Sequence, residues 1–161
     1  MTKANKGKIF EDVIKKSFEK AQGVSIDRLR DAPKKMKNVD NPSDFIVYKY
    51  PYEIYVECKS HKGNTLPFSC IREEQIRGMY EKSKIHGVKA GVICWFIDHD
   101  ITVWFPIEAV MNHILADQKS FNVKKLEIYK FAGECIVIEG KKKRVYFDYD
   151  MEDFLRRLYG C

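Results

Sequence analysis

Residues 41–60 read NPSDFIVYKYPYEIYVECKS. The stretch is rich in aromatic and β-branched residues, which predicts two strands, 43–49 and 52–60. Tyr50-Pro51 interrupts the run and supplies the turn between them. The sequence therefore predicts an antiparallel hairpin, and the remaining elements are considered around it.

Three polar side chains of this hairpin carry a chemical signal. Side chains alternate between the two faces of a strand, so Glu57 and Lys59 share one face, about 7 Å apart along the backbone. The hairpin places Asp44 alongside them. Two carboxylates next to an amine can hold a hard divalent cation and steady a water molecule. We interpret the set as a metal-dependent phosphodiesterase site acting on nucleic acid; the alternative is a solvent-facing Glu-Lys pair on an edge strand.

The composition indicates one folded domain. The chain has 161 residues, 45% of them hydrophobic and 13% aromatic, enough to bury a core. It has no apolar run of about 18 residues, and its first residues lead into no signal-like apolar segment. We therefore expect a cytoplasmic protein, in the host cytoplasm if the chain is virus-encoded.

Basic residues are in excess and clustered. Lys and Arg number 29 against 23 Asp and Glu, a net charge of +6. This excess favours polyanionic partners, because each neutralised phosphate releases condensed counterions. One cluster lies in a polar segment, 22–41, that we expect to be a loop leading to Asp44; phosphate contact is one interpretation and a solvated surface the other. The predicted DNA-binding residues are Arg28, Arg30, Lys34, Lys35, Lys37 and Lys62.

Two predicted helices offer further polar groups. In the first, 7–21, apolar residues recur at helical spacing, and Glu11 falls at the edge of the apolar stripe. It can face a cleft beside the core or be an ordinary boundary glutamate. In the second helix, 69–86, Gln75 lies on or next to the buried face, where its amide would need a partner, unless it is a surface residue.

The rest of the chain predicts an α/β fold, a single domain with a central mixed β-sheet flanked by helices. The run 89–97 is typical of a central strand. We interpret Asp98-His99-Asp100 as a turn at the far end of the sheet, with a metal site as the alternative. The later predicted elements are strands 101–105, 125–131, 134–139 and 144–148, helices 106–117 and 151–159, and a basic turn at 141–144.

The five cysteines form no C-x-x-C pair. We expect reduced thiols, several of which fill the core, and a zinc site at Cys58 and His61 is the weaker alternative because a second close pair is missing.

The order of a helix carrying Glu11, then Pro42-Ser43-Asp44, then Glu57-Cys58-Lys59 resembles the PD-(D/E)XK nuclease superfamily. Within it, the chain is similar to Holliday junction resolvases of the RecU and archaeal Hjc type. Those families carry an F-P-L-like segment and a helix entered through H-Q-I, where this chain has Leu66-Pro67-Phe68 and Glu74-Gln75-Ile76.

The similarity spans about residues 7–110, and Glu74 departs from it where the families have His. The extension 121–161 resembles nothing that we can name. The resemblance implies a restriction-endonuclease-like core and an Mg²⁺- or Mn²⁺-dependent endodeoxyribonuclease that resolves four-way DNA junctions by paired phosphodiester hydrolysis.

The resemblance also implies roles for single residues. Asp44 and Glu57 would ligate the metal, assisted by Glu11 directly or through water. Lys59 would position or help deprotonate the attacking water and neutralise charge on the scissile phosphate. Gln75 would support the site by hydrogen bonding.

A junction cut twice with twofold symmetry calls for a homodimer. Two other functions remain open from the sequence. One is a restriction-like or nicking endonuclease of the same superfamily. The other is a non-catalytic basic DNA-binding or architectural protein whose acidic cluster is structural or defunct.

Overall fold

A computed structural model of the chain describes residues 3–29 and 41–160, with side chains from Lys6 onward. The α-helices in these ranges are α1 Lys3–Glu19, α2 Glu73–Ser83, α3 Ile107–Leu115, α4 Leu126–Phe131 and α5 Met151–Leu158. The strands are β1 Ser25–Arg28, β2 Phe45–Lys49, β3 Tyr52–His61, β4 Thr65–Pro67, β5 Val88–Phe96, β6 Ile101–Pro106, β7 Ser120–Asn122, β8 Ile136–Val137, β9 Gly140–Lys142 and β10 Phe147–Tyr149.

Six strands form one central sheet in the order β1-β2-β3-β5-β6-β8. β3 and β5 run parallel, and the other neighbours are antiparallel. The strands β4 and β7 pair separately, as do β9 and β10. The predicted fold class is confirmed: the chain is a single α/β domain with a mixed central sheet between helices.

The two faces of the sheet are covered by different helices. On one face, α1 and α5 pack with β10 through Phe10, Ile14 and Phe154. On the other face, α2, α3 and α4 pack through residues such as Met79 and Val110. β5 is buried on both faces because its sequence is a continuous apolar run.

The sequence predicted a loop over residues 22–41, but part of this segment forms a strand. Ser25–Arg28 forms β1, paired antiparallel with β2. Its residues alternate between exposed and half-buried, as expected for an edge strand. Only one of its four residues, Ile26, is apolar, so hydrophobic patterning gave no signal. The predicted DNA contacts Arg30, Lys34, Lys35 and Lys37 lie outside the described residues.

The predicted strand 125–131 is wrong, since most of it forms α4. Leu126 and Tyr129 are buried and three residues apart, so they share one helical face. The aromatic and branched residues of this segment favoured a strand, but the helical spacing of the two buried positions prevails.

The Asp98-His99-Asp100 turn is a structural feature, as interpreted, but its predicted place is wrong. Because β3 and β5 are parallel, the turn after β5 lies beside the loop that follows β3. There Asp98 Oδ2 accepts a hydrogen bond from the Gly63 N–H at 2.7 Å, and the His99 ring contacts Asn64 Oδ1 at 2.8 Å.

Three of the cysteines, Cys58, Cys94 and Cys135, are buried as free thiols, in agreement with a core-filling role. In the described ranges, no helix combines the length and apolar character needed to cross a membrane.

Gly91 in β5 offers a test of the packing between β5 and β6. A Cβ there would lie 2.5 Å from the Phe105 carbonyl oxygen and 2.7 Å from the Trp104 ring. We expect Gly91→Ala to lower the free energy of unfolding by about 1–3 kcal/mol, measured by urea denaturation. The matched control is Gly7→Ala in α1, where a Cβ meets nothing within 4 Å and should stabilise the helix. Equal stability of the two variants would contradict this packing.

Candidate active site

The register of β2 and β3 brings Asp44 beside Glu57. Phe45 pairs with Val56, so Asp44 lies opposite Glu57 one step beyond the ladder. The Asp44 carbonyl accepts a hydrogen bond from the Leu29 N–H, and its Oδ2 accepts one from the Cys58 N–H, both at 2.8 Å. These bonds hold the Asp44 carboxylate against the backbone of β3.

Glu57 is buried in a central strand. Its side chain is 2% exposed, and β3 lies between β2 and β5. This excludes the alternative of a solvent-facing pair on an edge strand. The Glu57 Oε2 atom is buried without a hydrogen-bond partner in the described part of the chain. A buried, unpartnered carboxylate oxygen is costly, and a proton or a cation would relieve that cost.

The environment of Glu57 favours its protonated form. Burial, a hydrogen bond with Asp44 and the Asp44 negative charge together raise the pKa of Glu57 to about 9. The Lys59 ammonium opposes this change, while the Glu11 charge adds to it. Four charged side chains from α1, β3 and the start of β2 therefore act on one another at a single place.

Arg28 holds Glu11 near this place. The Arg28 guanidinium donates to Glu11 Oε2 and to Asp12 Oδ1, each at 2.7 Å, and lies 4.9 Å from the centre of the Phe45 ring. Burial raises the pKa of Glu11, the Asp44 charge adds to the rise, and the Arg28 hydrogen bond opposes it. The sequence reasoning missed this anchoring contact, because it depends on β1, which the sequence pattern did not reveal.

Lys59 lies on the same face of β3 as Glu57, opposite Cys94 of β5. No hydrogen bond or ion pair joins Lys59 to another described residue, so its ammonium remains available. Gln75 is buried in α2, which packs on this same sheet face through Ile76 and Met79. Among these described side chains, no hydrogen bond joins Gln75 to the carboxylates or to Lys59.

Cys70 is a neighbour of the site that the sequence did not reveal. Burial raises the pKa of this thiol, and the charges of Lys59 and Glu57 act on it in opposite directions. It follows β4 in a short 3₁₀ turn, Phe68–Cys70, that leads to α2. Only the packing of this turn on the sheet brings Cys70 close to Lys59.

Lys62 is exposed in the loop after β3. The Asp98 and Asn64 contacts described above tie this loop to the turn after β5. The loop therefore presents Lys62 at the carboxyl end of β3, three residues after Lys59.

The donor set fits a magnesium-type ion held by two carboxylates. Among the residues that the structure describes, no group of three or more His, Cys, Asp or Glu side chains is arranged to hold a metal ion, including the Cys58–His61 and Asp98–Asp100 alternatives. Mg²⁺ is usually bound by one or two carboxylates together with substrate phosphates. Asp44 and the unpartnered oxygen of Glu57 meet that requirement, whereas one oxygen of Glu11 is already bonded to Arg28.

Comparison with known proteins finds solved structures that share this fold. One solved structure that shares it is Hjc of Archaeoglobus fulgidus, described as a Holliday junction resolvase from an archaeal hyperthermophile. The likeness has a TM-score of 0.50 and 18% sequence identity, and covers 64% of this chain and 78% of Hjc. At that identity it shows a shared fold. No family model matches the chain, and no curated protein matches it in sequence.

The burial of Glu57 predicts a pH-dependent stability in EDTA. Folding raises the Glu57 pKa from 4.5 to about 9, so the folded state retains a proton that the unfolded state releases. This contribution is fully present below the unfolded pKa and is lost as the pH rises through the folded pKa. We expect the free energy of unfolding to fall between about pH 5 and pH 9, by at most about 1.4 kcal/mol per pH unit from this group.

Glu57→Gln should remove that slope, and Glu53→Gln, four residues earlier on the same strand face, should retain it. Urea denaturation at several pH values measures the difference between the variants. A slope that is the same in Glu57→Gln and the unmodified chain would show that Glu57 ionises normally.

Proposed function

We propose that the protein is a metal-dependent endonuclease that resolves four-way DNA junctions. The observation that carries the proposal is the buried Glu57, whose Oε2 has no hydrogen-bond partner among the described residues, beside a backbone-held Asp44 and a Lys59 that forms no ion pair within residues 3–29 and 41–160. A buried carboxylate pair of this kind destabilises the folded protein unless a proton or a cation neutralises it. A divalent cation bound at the scissile phosphate would neutralise the pair and suits its oxygen donors.

Asp44 and Glu57 would hold Mg²⁺ or Mn²⁺. When bound, such an ion polarises the phosphoryl oxygen and lowers the pKa of a coordinated water. Lys59 would orient the attacking water and neutralise charge on the phosphate, a role suited to an ammonium beside carboxylates.

Glu11 and Gln75 would support the reaction from the two sides of the site. Glu11, held by Arg28, would assist the metal directly or through water. Gln75 would donate a hydrogen bond from α2. Of the predicted DNA-binding residues, Lys62 is exposed at this end of the sheet, whereas the Arg28 guanidinium is bonded to two carboxylates.

The substrate assignment is supported by the shared fold with Hjc and by the net charge of +6. A four-way junction carries two equivalent strands to be cut, and a homodimer with a twofold axis supplies two equivalent sites. We therefore propose that the active species is a dimer acting on branched DNA.

Asp44→Asn and Glu57→Gln should each abolish cleavage while junction binding is retained. Each change removes one negative donor oxygen from the metal site but keeps the shape of the side chain. We expect the cleavage rate of a labelled four-way junction in Mg²⁺ to fall about 100-fold or more, with an unchanged affinity in EDTA. The matched control is Glu53→Gln, which should cleave at the normal rate. Normal cleavage by either site variant would remove that residue from the metal site.

Substrate choice provides a separate test. With a synthetic four-way junction and a linear duplex of the same sequence, we expect paired nicks confined to the junction in Mg²⁺ and none in EDTA. Symmetric nicks on opposing strands indicate two active sites in one complex. Cutting of the linear duplex would instead support a restriction-like or nicking enzyme, and binding without metal-dependent cutting would support a non-catalytic DNA-binding protein.

A further inference from the structure

The β9–β10 hairpin carries a basic tip that the proposed site does not use. Residues 141–144 are Lys, Lys, Lys and Arg, and all four are exposed, as is Val145. The tip is closed by a hydrogen bond from the Lys143 N–H to the Tyr146 carbonyl at 2.8 Å. At its base, a Cβ on Gly140 would lie 2.8 Å from the Tyr149 ring, so the two strands approach closely there.

The hairpin is anchored to the main sheet and to α1. The Tyr149 hydroxyl bonds Thr102 of β6 at 2.6 Å, and the Tyr149 N–H donates to Ser17 Oγ of α1 at 3.2 Å. The Tyr146 ring lies 5.5 Å from the Trp95 ring of β5. These buried and half-buried contacts fix the base of the hairpin, so the exposed tip has a defined position.

The same contacts place the hairpin at the end of the sheet where the candidate site lies. Trp95 is paired with Ser60, the residue after Lys59 in β3. Phe10, which precedes Glu11 in α1, contacts both Trp95 and Tyr149. The hairpin therefore stands on the α1 face beside the carboxyl ends of β3 and β5, where Lys142 contacts Asp100 of the turn after β5. Glu57 and Lys59 lie at the same end of the sheet but project from the opposite face.

The charges of the tip are only partly neutralised. Lys142 forms an ion pair with Asp100, and Lys141 lies across the hairpin from Asp148. Asp148 is itself bonded by Lys20 at 2.8 Å, and this bond, with the charges of Lys143 and Lys141, lowers the Asp148 pKa. Within the described part of the chain, Lys143 and Arg144 form no ion pair.

We propose that this basic tip binds backbone phosphates of the DNA arm beside the cleaved strand. The inference rests on the proposed nuclease function and extends it, because residues 141–144 form a contact surface separate from the carboxylate site. An exposed Lys143-Arg144 pair on a fixed support suits phosphates, which position a duplex without reading its sequence. The contact should consequently contribute equally to junctions of different sequence.

The test is a charge-removal variant, Lys143→Gln with Arg144→Gln, compared with the matched control Lys124→Gln with Lys125→Gln. The control removes two adjacent exposed cations from the turn that precedes α4, on the opposite sheet face. Binding to a four-way junction is measured in EDTA across a series of salt concentrations. Each lost phosphate contact should reduce the salt slope by roughly 0.9, so we expect a reduction of about 1.8 and a loss of affinity of about tenfold or more at 0.1 M salt.

The outcomes separate this inference from the proposed function. If the unmodified protein cleaves junctions but the hairpin variant binds like the control, the hairpin contact is overturned and the nuclease stands. If the unmodified protein cleaves nothing but the hairpin variant alone loses binding, the nuclease proposal fails and the hairpin contact stands. A protein that binds no DNA at all overturns the hairpin contact.

A second measurement does not depend on removing charge. A photo-crosslinking amino acid is placed at Val145, at the exposed tip, and in a separate variant at Ile128, exposed on α4. We expect crosslinks to a junction arm from position 145 and none from 128. Equal yields from both positions, or none from 145, would contradict the assignment.

Discussion

The interaction on which the rest depends is the forced proximity of two carboxylates, one of them buried in the middle of a sheet. Separately, Asp44 and Glu57 would each prefer water. The Cys58 N–H holds Asp44 in place, and the neighbours of β3 on both sides exclude solvent from Glu57. The cost of this arrangement is met by the large apolar core on both sheet faces, which supplies the favourable free energy of folding.

At this site, Arg28 and Lys59 accompany a cluster of three carboxyl groups, Glu11, Asp44 and Glu57. Arg28 lies between the carboxylates of α1 and the ring of Phe45, while Lys59 lies on the far side of Glu57 with no ion-pair partner among the described residues. Arg28 thus restrains an acidic side chain, whereas Lys59, within the described part of the chain, has the free ammonium that its proposed role toward a phosphate requires.

The sequence predicted those features that depend on neighbours along the chain. Alternation in 52–60 placed Glu57 and Lys59 on one face, and the short turn set Asp44 opposite Glu57. Features that depend on distant partners were not predictable: that β3 is central follows only from its parallel pairing with β5, and β1 has too few apolar residues to give a pattern. The parallel pairing also decides where the Asp98–Asp100 turn lies.

The geometry of the β2–β3 hairpin has a consequence for how the protein can vary in length during evolution. Asp44 and Glu57 lie at the end of the ladder farthest from the Tyr50-Pro51 turn, where Tyr50 is 80% exposed. Insertions at the turn would lengthen the hairpin at its turn end and leave the acidic pair in register. Loss of a single residue within β2 would instead rotate Asp44 to the opposite face. Relatives should therefore differ in the size of the turn while the number of residues between Asp44 and the turn stays constant.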